Sequence, residues 1–282
     1  AWTDEFQDIE GDKKPKPYHK TRVKMLWDDT YFYIACEMEE PHLWATLTEH
    51  DSVIFQDNDF EVFIDPDSDN HEYYEYEINA LGTDWDLRLV KPYRDGGPPL
   101  NSWEIPGLKK AVHLDGTLND PTDVDNGWSL ELAIPWTVLA EYSKVDSPPK
   151  PGDQWRVNFS RVQWDRNVIN GEYVKIEGRP EYNWTWSVQH AINMHLPELW
   201  GYVQFEDGPV EFRPDPEWKV RMILMDAYLS QKKFHKEQGR YASDSEIVLP
   251  DGFSVSGGES AFVVTNLASG LSIREDSLIS RG

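Results

Sequence analysis

The sequence predicts a mainly β fold, an antiparallel two-sheet β-sandwich, and three observations carry that expectation. Apolar residues recur with period two or in short blocks. Pro, Gly, Asn and Asp clusters break these blocks roughly every 10–20 residues. Aromatic residues make up 13% of the chain, more than a helical interior needs and typical of sheet surfaces.

The elements follow in chain order. Tyr31–Cys36, Phe60–Asp65, Tyr74–Asn79, Trp128–Ile134 and Trp155–Val162 read as strands. Pro135–Tyr142 is a short helix candidate, because proline suits a first helical turn. A composition break at Glu206-Asp207-Gly208-Pro209 divides the chain into 1–207, which holds every tryptophan but Trp218, and 208–282. In the second part Asp215-Pro216-Glu217 marks a helix start. Val220, Ile223, Leu224, Ala227, Tyr228 and Phe234 then recur at spacings near three and four, and Gly239 closes the helix. Phe253–Val255, Ala261–Val264 and Leu271–Ile273 are short strands, so 208–282 is expected to be a helix plus a small hairpin.

Charge narrows the function. With 27 Lys+Arg against 51 Asp+Glu, the net charge of −24 repels phosphate backbones and anionic lipid, so no nucleic-acid partner is expected. No apolar run reaches about 18 residues, so no transmembrane segment is expected. Cys36 is the single cysteine and no internal disulfide can form. The segment Ala1–Phe6 has neither a basic nor an apolar leader character. There is no phosphate-binding loop, dinucleotide fingerprint, nucleophile elbow or His-Glu-x-x-His, so no nucleotide cofactor is expected.

Several segments resemble family 9 carbohydrate-binding modules. They are Val23–Ile34, Asp57–Asp65, Tyr76–Asn79, Gly127–Trp136, Trp186-Ser187 and Trp200–Val203, in that order over about residues 2–207. The resemblance implies a jelly-roll-like sandwich related to DOMON domains, sugar binding on a concave face, and often structural calcium. It implies a saccharide or polysaccharide ligand, association with glycan-degrading enzymes, and a secreted, periplasmic or cell-surface place in a bacterium. It also implies a site in which two loop tryptophans clamp a terminal sugar while an acid and an arginine grip its hydroxyls. In this chain the acid position falls on Glu61, the arginine position on Glu77, and the tryptophan positions on Phe55 and Met194.

Sugar chemistry fills in the rest, since a pyranose stacks its apolar face on a ring and offers hydroxyls to carboxylates and guanidinium groups. Two acids on one face repel unless one is protonated or a cation lies between them. Arg88 and Arg161, each in a strand-like stretch flanked by aromatics, are the candidates. The expected pocket therefore comprises Glu61, Glu77, Arg88, Arg161 and Trp85, with Phe55, Trp184 and His195 at its rim. Tyr93 and Arg94, in a loop ending Asp95-Gly96-Gly97, lie within expected reach of a ligand.

Calcium is the cofactor candidate. Asp65, Asp67 and Asp69 alternate in one turn, and Asp123 and Asp125 lie in a second acidic loop. Two other functions compete with binding. A glycosidase would use Glu61 with Glu77, or Glu75 with Asp84, as paired catalytic carboxylates. A haem-binding electron-transfer domain would draw on His190, Met194 and His195, helped by Met25, Met38 or Lys91.

Overall fold

The computed structural model describes residues 1–282. In chain order the strands of the first part are β1 (Gln7–Asp8), β2 (Thr21–Trp27), β3 (Tyr31–Glu39), β4 (Asp59–Asp65), β5 (Tyr73–Asn79), β6 (Asp84–Leu89), β7 (Pro99–Leu100), β8 (Lys109–Asp115) and β9 (Gly127–Pro135). After a one-turn helix α1 (Trp136–Leu139) come β10 (Gln154–Gln163), the hairpin β11 (Arg166–Ile169) and β12 (Glu172–Lys175), β13 (Tyr182–Thr185) and β14 (Gly201–Gln204). The second part holds α2 (Trp218–Gln238) and strands β15 (Phe253–Gly257), β16 (Phe262–Asn266), β17 (Leu271–Arg274) and β18 (Ile279–Arg281).

Two antiparallel sheets make the sandwich. The larger runs β1-β13-β10-β4-β5-β6-β7, with β14 also paired to β10; the smaller runs β2-β3-β9-β8. Because side chains alternate along a strand, Phe60, Val62 and Ile64 of β4 and Tyr74, Tyr76 and Ile78 of β5 point inward. They meet Phe32, Ile34 and Cys36 of β3 and Leu130, Leu132 and Ile134 of β9 in one core. Cys36 is buried there, and burial pushes its thiol well above the ordinary range. Burying a side chain of this size contributes about 1.5–3 kcal/mol, so the interleaved rows dominate the stability of the unit.

The opposite face of the larger sheet is the unusual one. There Asp59, Glu61 and Phe63 of β4 alternate with the core residues, beside Glu75 and Glu77 of β5 and Trp85 and Leu87 of β6. The segment after β13 folds across one end of this face. Met194 and Trp200 pack on Phe63, Tyr73, Leu87 and Leu89, forming a second small core outside the sandwich.

The C-terminal part is larger than a helix with a hairpin. Its four strands form an antiparallel meander, β15-β16-β17-β18, against which α2 buries Leu224, Ala227 and Tyr228 on Phe262, Val264 and Ile273. Gly239, with φ of 72°, ends α2 by donating its N–H to His235. Asp215 sits one turn ahead of the helix, where its carboxylate accepts the Glu217 N–H and the Tyr202 hydroxyl. No helix is long and apolar enough to cross a membrane.

Candidate functional site

Cross-strand register builds a polar row on the outer face. Thr185 of β13, Ser160 of β10, Glu61 of β4, Glu77 of β5 and Trp85 of β6 are successive neighbours across five strands. Above the Glu61–Glu77–Trp85 end of this row lies a cleft of about 420 Å³. Phe55, Tyr93 and Ile192 edge it, Glu75, Met194 and His195 line one side, and Glu181 and Asn183 line the other.

The rim is anchored to the floor. The Phe55 N–H donates to Glu77 Oε2 at 3.0 Å, and the indole of Trp164 donates to the Phe55 carbonyl at 2.8 Å. At the other end Tyr93 stands edge-on to His195, with centroids 4.5 Å apart, and the Tyr73 hydroxyl meets His195 Nδ1 at 3.0 Å. Burial drives the His195 pKa down to about 4, so the ring is neutral near pH 7.

The electrostatics of the floor are one-sided. Burial, opposed by Ser160, pushes Glu61 up to about 7. Burial first and the Glu61 charge second raise Glu75, Glu77 and Asp59 well above the carboxylate range. Asp59 lies beneath the cleft, fully buried, and accepts the Val162 N–H at 3.2 Å through one oxygen. No lysine or arginine lines the cleft.

Three expected ligand contacts lie elsewhere. Arg161 pairs across the sheet with Phe60, not Glu61, so its side chain enters the core side of the sheet. There its guanidinium donates to Glu40 at 3.2 Å and to Gln163 at 2.8 Å. Arg166 also donates to Glu40. Burial works against the Glu40 charge, but the two guanidinium groups hold its pKa below the usual value. Trp184 lies opposite Arg161, also inward, with the guanidinium carbon 5.2 Å from its ring centroid. Arg88 is level with Tyr74 on the inward face, where it pairs with Glu72 and stacks 3.5 Å over Tyr142. Glu61, Glu77, Trp85, Phe55, Tyr93, Met194 and His195 are brought together at the cleft. Asn183 of β13 joins them through strand register, and Glu181 and Asn193 from irregular segments.

The metal expectations divide. Asp65, Asp67 and Asp69 do converge, with one oxygen of each within 4.8 Å of the others. Their oxygens are already engaged: Asp65 accepts the Ser68 and Asn70 N–H groups, Asp67 that of Lys144, and Asp69 pairs with the Lys144 ammonium. A calcium ion there would have to displace that ammonium, so the donor set does not fit one as it stands. Asp125 spends both oxygens on the Leu43 and Thr117 N–H groups at 2.7 Å, and Asp123 is exposed. The haem set does not assemble either. His190 is exposed, Met38 is in the core, and Met194 and His195 are chain neighbours unable to approach an iron from opposite sides. The carboxylate pairs divide as well. Glu61 and Glu77 stand side by side on one floor, while Asp84, level with Ile78, belongs to the other face from Glu75.

The family model described as carbohydrate family 9 binding domain-like matches residues 1–185. The chain belongs to that family. The exoglucanase XynX of Acetivibrio thermocellus is 29% identical over 120 residues, which is 42% of this chain and 9% of that protein. The endo-1,4-beta-xylanase A of Thermoanaerobacterium saccharolyticum is 27% identical over 116 residues, 41% of this chain and 8% of that protein. The chain thus spans under a tenth of the curated relatives it matches. A solved candidate carbohydrate-binding protein from Bacteroides uniformis superposes with a TM-score of 0.54 at 17% identity, covering 73% of this chain and 86% of that one. That likeness establishes the sandwich. The family 9 match ends at Thr185, the last residue of β13, so Met194 and His195 of the cleft wall lie beyond it.

Proposed function

We propose that this family 9 chain is a saccharide-binding module, and that the outer-face cleft is its binding site. The carrying observation is the cleft's make-up: rings of Phe55, Trp85 and Tyr93 around a carboxylate floor of Glu61, Glu75 and Glu77. Rings suit the apolar face of a pyranose and carboxyl oxygens suit its hydroxyls. The hollow of about 420 Å³ is of the size of ordinary small-ligand sites, which supports one or two sugar units at a chain end. The matched relatives carry names of xylan- and glucan-degrading enzymes, which supports an accessory role beside such enzymes and a place outside the cytoplasm.

The test is a glycan array of neutral oligosaccharides, followed by calorimetry on the retained ligands and a reducing-sugar assay on the same preparation. Retention of β-linked glucose or xylose oligomers, abolished in Trp85→Ala and with no release of reducing ends, is the expected result. Turnover would move the chain to the enzymes, and retention of nothing on the array would overturn the proposal.

A further inference from the structure

We infer that the floor of the cleft holds a divalent metal cation between Asp59, Glu61 and Glu77, and that saccharide hydroxyls complete its coordination from the cleft side. The second clause rests on the saccharide reading above; the first does not.

The register of β4 and β5 creates the set. Glu61 faces Glu77, and Asp59 lies two residues earlier on the same face, so one oxygen of each comes within 4.8 Å of the other two. A second observation points to a ligand. Asp59 Oδ2 and Glu61 Oε2 are shut off from solvent and have no hydrogen-bond partner, and the Ser160 hydroxyl, level with Glu61 on β10, adds a neutral polar group beside them. Asp59, Glu61 and Ser160 are each 5% exposed or less. A buried polar group without a partner costs roughly 1–3 kcal/mol, and a buried charge far more, so once ionised these oxygens call for a positive partner. The chain supplies none, because Arg88 and Arg161 are committed on the other face.

The other acidic groupings differ in this respect. Asp65, Asp67 and Asp69 have Lys144, and Asp86, grouped with His50 and Asp51, accepts the Ile105 N–H through one oxygen and has the His50 ring 3.6 Å from the other. The depth of Asp59 decides between a metal ion and an ammonium group on the ligand. Asp59 does not reach the cleft wall, so a sugar-borne ammonium would stop at Glu61 and Glu77, whereas a compact ion can touch all three. An all-oxygen set suits hard ions such as calcium, magnesium or manganese(II), and calcium accepts six to eight oxygens, leaving positions for ligand hydroxyls.

The experiment uses chelator-treated protein titrated with calcium by calorimetry, and with terbium read through luminescence sensitised by Trp85. Both titrations are repeated on Glu77→Gln, Glu61→Gln and, as control, Asp67→Asn, with circular dichroism confirming folding. One site is expected, weakened at least tenfold in both glutamine variants and unchanged in Asp67→Asn, with glycan affinity falling at least tenfold on chelation. Absence of calcium binding by the wild type, or a loss confined to Asp67→Asn, overturns the inference. Glycan binding that is indifferent to chelation overturns the bridging role and leaves the saccharide reading intact. Calcium binding sensitive to Glu77→Gln, with no glycan retained, supports the ion and overturns the saccharide reading instead.

Discussion

Asp95 and Tyr228 share a hydrogen bond of 2.6 Å, through which a loop of the sandwich meets the long C-terminal helix. The same carboxylate accepts the Ser277 hydroxyl at 2.7 Å and pairs with Lys232 at 3.0 Å. Its neighbour Arg94 grips Glu198 through two bonds of 2.5 and 2.9 Å, and Tyr93 packs on His195. The C-terminal unit therefore braces the cleft wall without lining it.

Removing that brace should act at a distance. Tyr228→Phe keeps the ring in its core and deletes one bond to a buried carboxylate, which costs about 1–2 kcal/mol. Urea denaturation should show that loss, and calorimetry should show weaker glycan binding although residue 228 touches no ligand. Unchanged affinity would mean that the wall is held by the sandwich alone.

Arg161 is structural. Arg161→Ala leaves Glu40 buried with its larger share of charge uncompensated, and loss of one partner of such a pair costs about 3–5 kcal/mol. The midpoint of denaturation should fall accordingly. Glycan affinity of the protein that remains folded, measured at low temperature, should equal that of the wild type.

Trp85 is the ring that occupies the floor row beside Glu77. Trp85→Ala should weaken saccharide binding by about 1–2 kcal/mol, roughly five- to thirty-fold, with a smaller change in stability than a core tryptophan would give because the side chain is only partly buried. Quenching of tryptophan emission by the sugar should disappear in the same variant.

Acid should expose His195. Its pKa in the folded chain, about 4, lies below the ordinary 6.5, so the unfolded chain takes up a proton that the folded one refuses. That contribution is full above pH 6.5 and is lost as pH falls towards 4. The groups around the ring are Tyr73, Glu75, Tyr93 and Phe63. Glu61, with its pKa raised to about 7, works in the opposite sense over the same interval. The histidine share is therefore read as the difference between wild type and His195→Gln. The wild type should lose on the order of 2–3 kcal/mol more than the variant between pH 7 and pH 4.5.

The sandwich was legible because its strands obey period two. Phe60-Glu61-Val62 and Tyr76-Glu77-Ile78 announce one apolar and one acidic face before any partner strand is known. Which residue of a distant strand joins that acidic face depends on register, and a slip of one residue exchanges the faces. Ser160, not Arg161, is level with Glu61, and that single step removed the expected cation from the site. Trp184 was misplaced by the same step, leaving Asn183 at the cleft. The covering segment around Asn193 and His195 is irregular, so no periodicity could have placed it. The C-terminal sheet exceeded its expected hairpin because β18, Ile279–Arg281, is too short to stand out.

The burial of Cys36 has a practical outcome for work on this molecule. Its thiol is walled into the interior and protonated at neutral pH, so alkylating dyes should pass it by. A single added thiol at Ile192, exposed on the cleft edge, would then be the sole reactive handle, and a fluorophore attached there would report occupancy without any cysteine-free background having to be made first.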